Sequence, residues 1–233
     1  KADTEPQNLT AQGTIVASMT GVSRVTGFAR DIVLSHFFGA TFIADAFFVS
    51  FRIPNFFRRL FAEGAFAQAF IPVLAEYRDG DRARLNNFVR TVAGNLTIIL
   101  VLVTILGVAG AKGLVMLFAP GFWGDPERMK LATEMVRVMF PYLAFISLTA
   151  YAAALLNSFN RFALPAFTPV LLNLVLIAAA LVAAPAFETP VMAIAWGVFA
   201  AGFVQLLFQI PSLRRLDLLH ALRTDWSDRG VRK

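Results

Sequence analysis

Cysteine is absent from the 233 residues, and histidine nearly so, with His36 and His220 far apart in the chain. The first absence excludes a disulfide framework, a thiolate nucleophile and any cysteine-ligated metal. The second removes paired imidazole ligands of the HExxH kind, and no GxGxxG, Walker A or GxSxG string occurs. No catalytic residue, metal site or cofactor is therefore expected. Charge is also scarce: Asp, Glu, Lys and Arg make up 15% of the chain, where soluble domains carry about a quarter. The net charge of +6 and pI near 10.3 come without the basic and aromatic interleaving of a nucleic-acid face, so no nucleic-acid partner is expected.

What fills the chain is apolar. Hydrophobic residues account for 58%, 24 of them Phe, and the mean hydropathy is +0.66. A spanning helix needs about 20 mainly apolar residues, and four charge-free intervals meet that length: 91–111, 138–160, 162–187 and 189–213. Two further spans are read upstream, where apolar sequence is interrupted by charge. The expected spans are 9–37, 40–77 (broken near Pro54 and Gly64), 91–118, 131–160, 163–185 and 190–211, after a polar tail 1–8 and before a basic connector 212–233. Continuous apolar runs without period-2 alternation favour an all-α six-span bundle over a barrel. Small residues such as Gly107, Ala109, Gly110 and Ala152–Ala154 would let helices approach closely.

Loop charges set the orientation. Arg78, Arg82, Arg84 and Arg90 lie in one loop, Arg161 in the 157–161 corner, and Arg214, Arg215, Arg223, Arg229, Arg232 and Lys233 in the tail. Loops 38–41 and 184–190 have no Lys or Arg, while 112–130 has Lys112, Arg128 and Lys130. The positive-inside rule then places the N-terminus, the 78–90 loop and the tail in the cytoplasm, next to anionic membrane lipids.

The charges inside the first two apolar segments are the main clue to function. Arg24, Arg30, Asp31, Asp45, Arg52, Arg58, Arg59 and Glu63 are five cations against three acids. Each costs roughly 2.5–3.5 kcal/mol at the centre of a spanning helix on insertion scales, so they require mutual pairing, a wet cavity or a charged ligand. Arg24 and Asp31 are seven residues apart, as are Asp45 and Arg52, which returns to nearly the same helical face. Such pairs would neutralise one another, but pairing cannot satisfy every Arg. Arg58 and Arg59 could also snorkel from a helix end. A converging guanidinium set in a half-wet cavity suits a diphosphate, whose oxygens match the planar fork.

Three strings carry a resemblance: SRVTGFARD at 23–31, ADAFF at 44–48 and PNFFRRLFAEGAF at 54–66, followed by APGF at 119–122, NSFNRF at 157–162 and PAF at 165–167. Across nearly all of residues 13–230 the chain resembles the MurJ (MviN-type) lipid II flippases of the MOP superfamily. The resemblance implies a transporter of the bacterial inner membrane that moves the undecaprenyl-diphosphate-linked cell-wall precursor, lipid II, by alternating access. Carried over by motif, Arg24, Arg30 and Arg58 would line the cavity and engage the diphosphate or sugar-peptide head. Ser23 and Asp31 would support them, with Asp45, Arg52, Arg59 and Glu63 in pairing roles. Straight-helix arithmetic from Asp45 favours Arg59 over Arg58, but Pro54 intervenes and can rotate the helix beyond it. The family has about fourteen spans in two lobes, so the resemblance implies an N-terminal lobe whose partner lobe lies in further sequence or in a second chain. Another MOP exporter, for O-antigen units or drugs, remains an alternative. So does an embedded enzyme acting on polyprenyl phosphates, although it would need an acid, base or nucleophile set that is not evident.

Overall fold

The computed structural model describes residues 5–39, 41–59, 66–78, 80–219 and 221–226, and among them every regular element is a helix. In chain order these are α1 Glu5–Phe38, α2 Phe42–Arg58, α3 Phe66–Arg78, α4 Arg82–Ala109, α5 Ala111–Phe118, α6 Pro126–Met139, α7 Tyr142–Ser158, α8 Ala163–Ala178 and α9 Pro190–Arg215. A 3₁₀ turn at Pro120–Phe122 precedes α6, and α8 runs on through a π turn, Ala179–Ala183, into a 3₁₀ turn at Ala184–Ala186.

Local chemistry sets the boundaries. Gly39, at φ +56, supplies the left-handed residue that ends α1. Thr41 caps α2 by accepting from the Ala44 N–H, Asp81 caps α4 through Ala83, and Asp125 caps α6 through Arg128. The cap at Asp81 starts α4 at Arg82, well before the charge-free interval at 91, so this helix leads with a charged turn. Gly110 closes α4 and separates α5 from it. Phe140 and Pro141 interrupt the second charge-free run between α6 and α7.

The all-helical expectation is met, whereas six spans are not established. Among the described residues four stretches are long and apolar enough to cross a membrane: 82–109, 126–158, 163–186 and 190–215. The first two expected spans do not qualify. α1 is long, at 34 residues, but interrupted by polar and charged groups, and α2 and α3 are 17 and 13 residues.

Within the bundle α9 packs on α7 and α8, α1 lies along α8, and α2 rests on α6. Close approach depends on glycine. A Cβ at Gly202 would lie 2.7 Å from the Tyr142 ring and one at Gly197 2.7 Å from Ala179 Cβ, while one at Gly107 would fall on the Phe140 ring. One apolar cluster centres on Phe47, Ile53, Met135, Met139, Leu143, Ile194 and Val198. A second, around Phe70, Leu74, Leu85, Phe88, Tyr151 and Leu155, is tied by the Tyr151 hydroxyl donating to the Val89 carbonyl at 2.7 Å.

Side chains also show which loops share an end of the bundle. Arg78 donates to the Ser158 carbonyl at 3.0 Å, and Arg82 donates to the Leu216 carbonyl while lying over the Phe159 ring. At the other end the Arg128 guanidinium lies over the Phe42 ring. Arg78, Arg82, Ser158, Phe159 and Leu216 thus meet at one end, and Phe42 and Arg128 at the other.

Candidate functional site

A cavity of about 470 Å³ opens between α1, α2, α7, α8 and α9. Arg30 of α1, Asn55 and Arg58 of α2, Thr149 of α7, Thr168 of α8 and Gln205 and Gln209 of α9 supply its polar lining, and Phe51, Tyr142, Ile146 and Leu172 are among its apolar walls. That size and mixture match ordinary ligand sites.

Arg30 is held rather than loose. Its Nη1 donates to Asn173 Oδ1 at 3.0 Å, while Nε and Nη2 donate to Asp31 Oδ1 at 3.0 and 2.6 Å. A guanidinium has five N–H donors, so this anchoring leaves donors for a ligand. Because Arg can only donate, Asn173 must turn its oxygen towards it, which points Nδ2 back at α1. There Nδ2 donates to the Ser23 carbonyl at 3.1 Å and to Thr26 Oγ1 at 3.2 Å. One buried asparagine therefore docks α1 on α8 and aims Arg30. On α2, Arg58 Nε donates to Asn55 Oδ1 at 3.3 Å, one helical turn back.

The sequence-derived residues separate into distinct places. Arg30 and Arg58 line the cavity together, whereas Arg24 is exposed on α1 outside that lining. Ser23 contributes its main-chain carbonyl, and Asp31 is the partner of Arg30. Asp31 does not pair with Arg24, nor Asp45 with Arg52, among the described residues. Seven residues share a face but lie about 10.5 Å apart along the axis, too far for direct contact, and a neighbouring guanidinium reaches Asp31 instead. Asp45, Arg52 and Arg59 are exposed and outside the cavity lining. Glu63 and Gly64 lie outside the described residues. Asn55, Thr168, Asn173, Gln205 and Gln209 escaped sequence reasoning because they carry no charge. Lone amides within apolar spans were the available signal.

Comparison with known proteins places the chain in a family. The family model described as "Lipid II flippase MurJ" matches residues 34–233. The lipid II flippase MurJ of Burkholderia cenocepacia is 45% identical over 209 residues, 88% of this chain and 40% of that protein. The probable lipid II flippase MurJ of Vibrio cholerae is 42% identical over 238 residues, 99% of this chain and 45% of that protein, and that of Buchnera aphidicola from Acyrthosiphon pisum is 41% identical over 217 residues, 93% and 42%. This chain thus spans about two-fifths of the length of the curated relatives it matches. A solved structure, a lipid II flippase MurJ in an inward closed conformation, shares the fold with a TM-score of 0.74 at 24% identity, over 92% of this chain and 43% of that one. With the family model matching most of its length, this multi-helical membrane chain belongs to the MurJ lipid II flippase family.

Proposed function

We propose that this chain forms the N-terminal wall of a lipid II flippase in the bacterial inner membrane, and that Arg30 and Arg58 hold the diphosphate of the precursor as it crosses. The observation that carries the reading is the joint lining of one cavity by two guanidiniums contributed by different helices. Guanidiniums are suited to phosphate oxygens, and charge-assisted bonds to them strengthen in a low-dielectric setting. The diphosphate is the lipid-linked precursor's anionic centre. Arg24, exposed on the same helix and about 120° round it from Arg30, would meet the ligand or the second lobe from another face of α1. Ser23 and Asp31 support Arg30. All six sequence-expected spans cross the bilayer in this reading, α1 and the α2–α3 pair being held by partners in place of apolar composition. The basic end where Arg78, Arg82, Ser158, Phe159 and Leu216 meet faces the cytoplasm.

Alternating access needs two bundles rocking about a shared site. The second bundle corresponds to the part of the relatives' length that this chain does not match. Transport is a binding and release cycle with no bond broken, so the assignment is to a transporter and not to an enzyme. The test is export of lipid II in cells whose own flippase is switched off, with this chain supplied together with the second lobe. Wild type should restore export, and Arg30→Ala or Arg58→Ala should abolish it while membrane insertion persists. Restored export in both variants would contradict the assignment.

A further inference from the structure

The cavity holds a second polar feature that arginine chemistry leaves unused. Gln205 and Gln209 lie one turn apart on α9, are 2% and 0% exposed, and both line the cavity. Thr168 of α8 fixes how each amide is turned. Its main-chain carbonyl can only accept, so the Gln205 atom facing it at 2.9 Å must be Nε2. Its hydroxyl spends its single proton on the Leu164 carbonyl at 3.2 Å and must accept from Gln209, whose Nε2 lies at 3.1 Å. Either amide turned over would set oxygen against oxygen. Both Oε1 atoms are therefore directed away from Thr168, and neither has a hydrogen-bond partner among the described residues. Buried acceptors left unpaired are costly, and native proteins rarely keep them without a purpose.

Resting on the proposed lipid II reading, we propose that Gln205 and Gln209 form an acceptor subsite for the uncharged, donor-rich part of the ligand, the hydroxyl or amide N–H groups of its glycopeptide head. An anion is excluded because the subsite offers oxygens. A bare cation is disfavoured because Arg30 and Arg58 share the cavity. The layout fits one extended ligand: Arg30 is anchored at Asn173, five residues beyond Thr168 on α8, about 7.5 Å of helix rise. An anionic group at the arginines and a sugar or amide at the glutamines can thus belong to the same molecule.

The experiment compares lipid II with undecaprenyl diphosphate, which lacks the glycopeptide, by equilibrium binding to the chain in nanodiscs. Wild type, Arg30→Ala and the double variant Gln205→Met with Gln209→Met are measured, with the single Gln variants read the same way should the double variant fail to fold. Methionine keeps the length and removes the acceptor. The double variant should lose about ten- to a hundredfold in lipid II affinity, the range expected for lost hydrogen bonds to a buried site, and leave undecaprenyl diphosphate affinity unchanged. Arg30→Ala should weaken both ligands. Equal loss for both ligands in the Gln variants, or no loss for either, overturns the subsite while an Arg30 effect leaves the diphosphate reading standing. Wild-type affinity for both ligands in Arg30→Ala overturns the diphosphate reading instead. Lipid II binding that requires Na⁺ or K⁺ in wild type and loses that requirement in the Gln variants would assign the oxygens to a cation and overturn the proposal.

Discussion

At the scale of single residues, the site is a set of constrained donors and acceptors more than a pool of positive charge. Asn173 is the clearest case, because its one side chain satisfies Arg30 on one edge and Ser23 and Thr26 on the other. Asn173→Leu should leave α1 inserted but free Arg30 to swing, costing about 1–3 kcal/mol for the polar groups it orphans. The check is lipid II export with the second lobe present, which should fall well below wild type while expression holds. Neighbouring arginines give a sharper contrast. Arg58 lines the cavity and Arg59 does not, so Arg58→Ala should abolish export and Arg59→Ala should leave most of it. Arg58→Lys should rescue poorly, since an ammonium keeps the charge without the planar fork. Equal export from the two alanine variants would show that the cavity lining does not decide function. The charged groups were legible in sequence because charge in apolar surroundings stands out. Their division between cavity and surface was not, since the sequence does not say which face of α2 turns inward: Phe51, Asn55 and Arg58 form a regular i, i+4, i+7 stripe on the cavity, while Asp45 and Arg59 are exposed off it. The glutamines were passed over for a different reason: the spans were read from charge-free intervals, in which an uncharged amide leaves no mark, and its burial depends on α8 lying against α9.

At the scale of helices, packing in a bilayer gains little from hydrophobic transfer and depends on close fit. Gly107 and Gly202 are two places where this fit is close, against Phe140 and Tyr142. Gly107→Leu should overpack the contact between α4 and the end of α6, at about 1–3 kcal/mol. A melting curve in detergent should show a lowered midpoint, and Gly113→Leu, where an added Cβ meets nothing within 4 Å, should not. The last four spans could be read from charge-free intervals because nothing within them conflicts with lipid. Their starts and ends could not, because α4 and α9 each carry charged turns beyond the apolar stretch, at Arg82 and at Arg214 and Arg215. Such turns suit an interfacial region, where side chains snorkel and charge no longer marks a boundary. α1 resisted the same reading because its polar groups are answered by Asn173 of α8, a partner 150 residues away in sequence.

At the scale of the whole molecule, orientation and ligand path are the remaining claims. Single cysteines introduced at Gly80 and Asn160 should be shielded from an impermeant thiol reagent added outside intact cells, and cysteines at Thr41 and Gly124 should label. The absence of native cysteine makes this background-free. The reverse pattern would invert the transport direction. Two lobes make a path in the proposed mechanism, and this chain supplies one face of it, so transport by residues 1–233 alone in liposomes should be undetectable. The central claim is that lipid II occupies the cavity between α1, α2, α7, α8 and α9. The most direct test is a photoreactive residue placed at Ile146 or Leu172, both on the cavity wall, or at Leu106, 71% exposed on the outer face of α4. Irradiation in membranes containing lipid II should crosslink the precursor at Ile146 and Leu172, lose that product when Arg30→Ala is added, and give none above bulk lipid background at Leu106. Crosslinking at Leu106 equal to that at the cavity positions, or unaffected by Arg30→Ala, would contradict it.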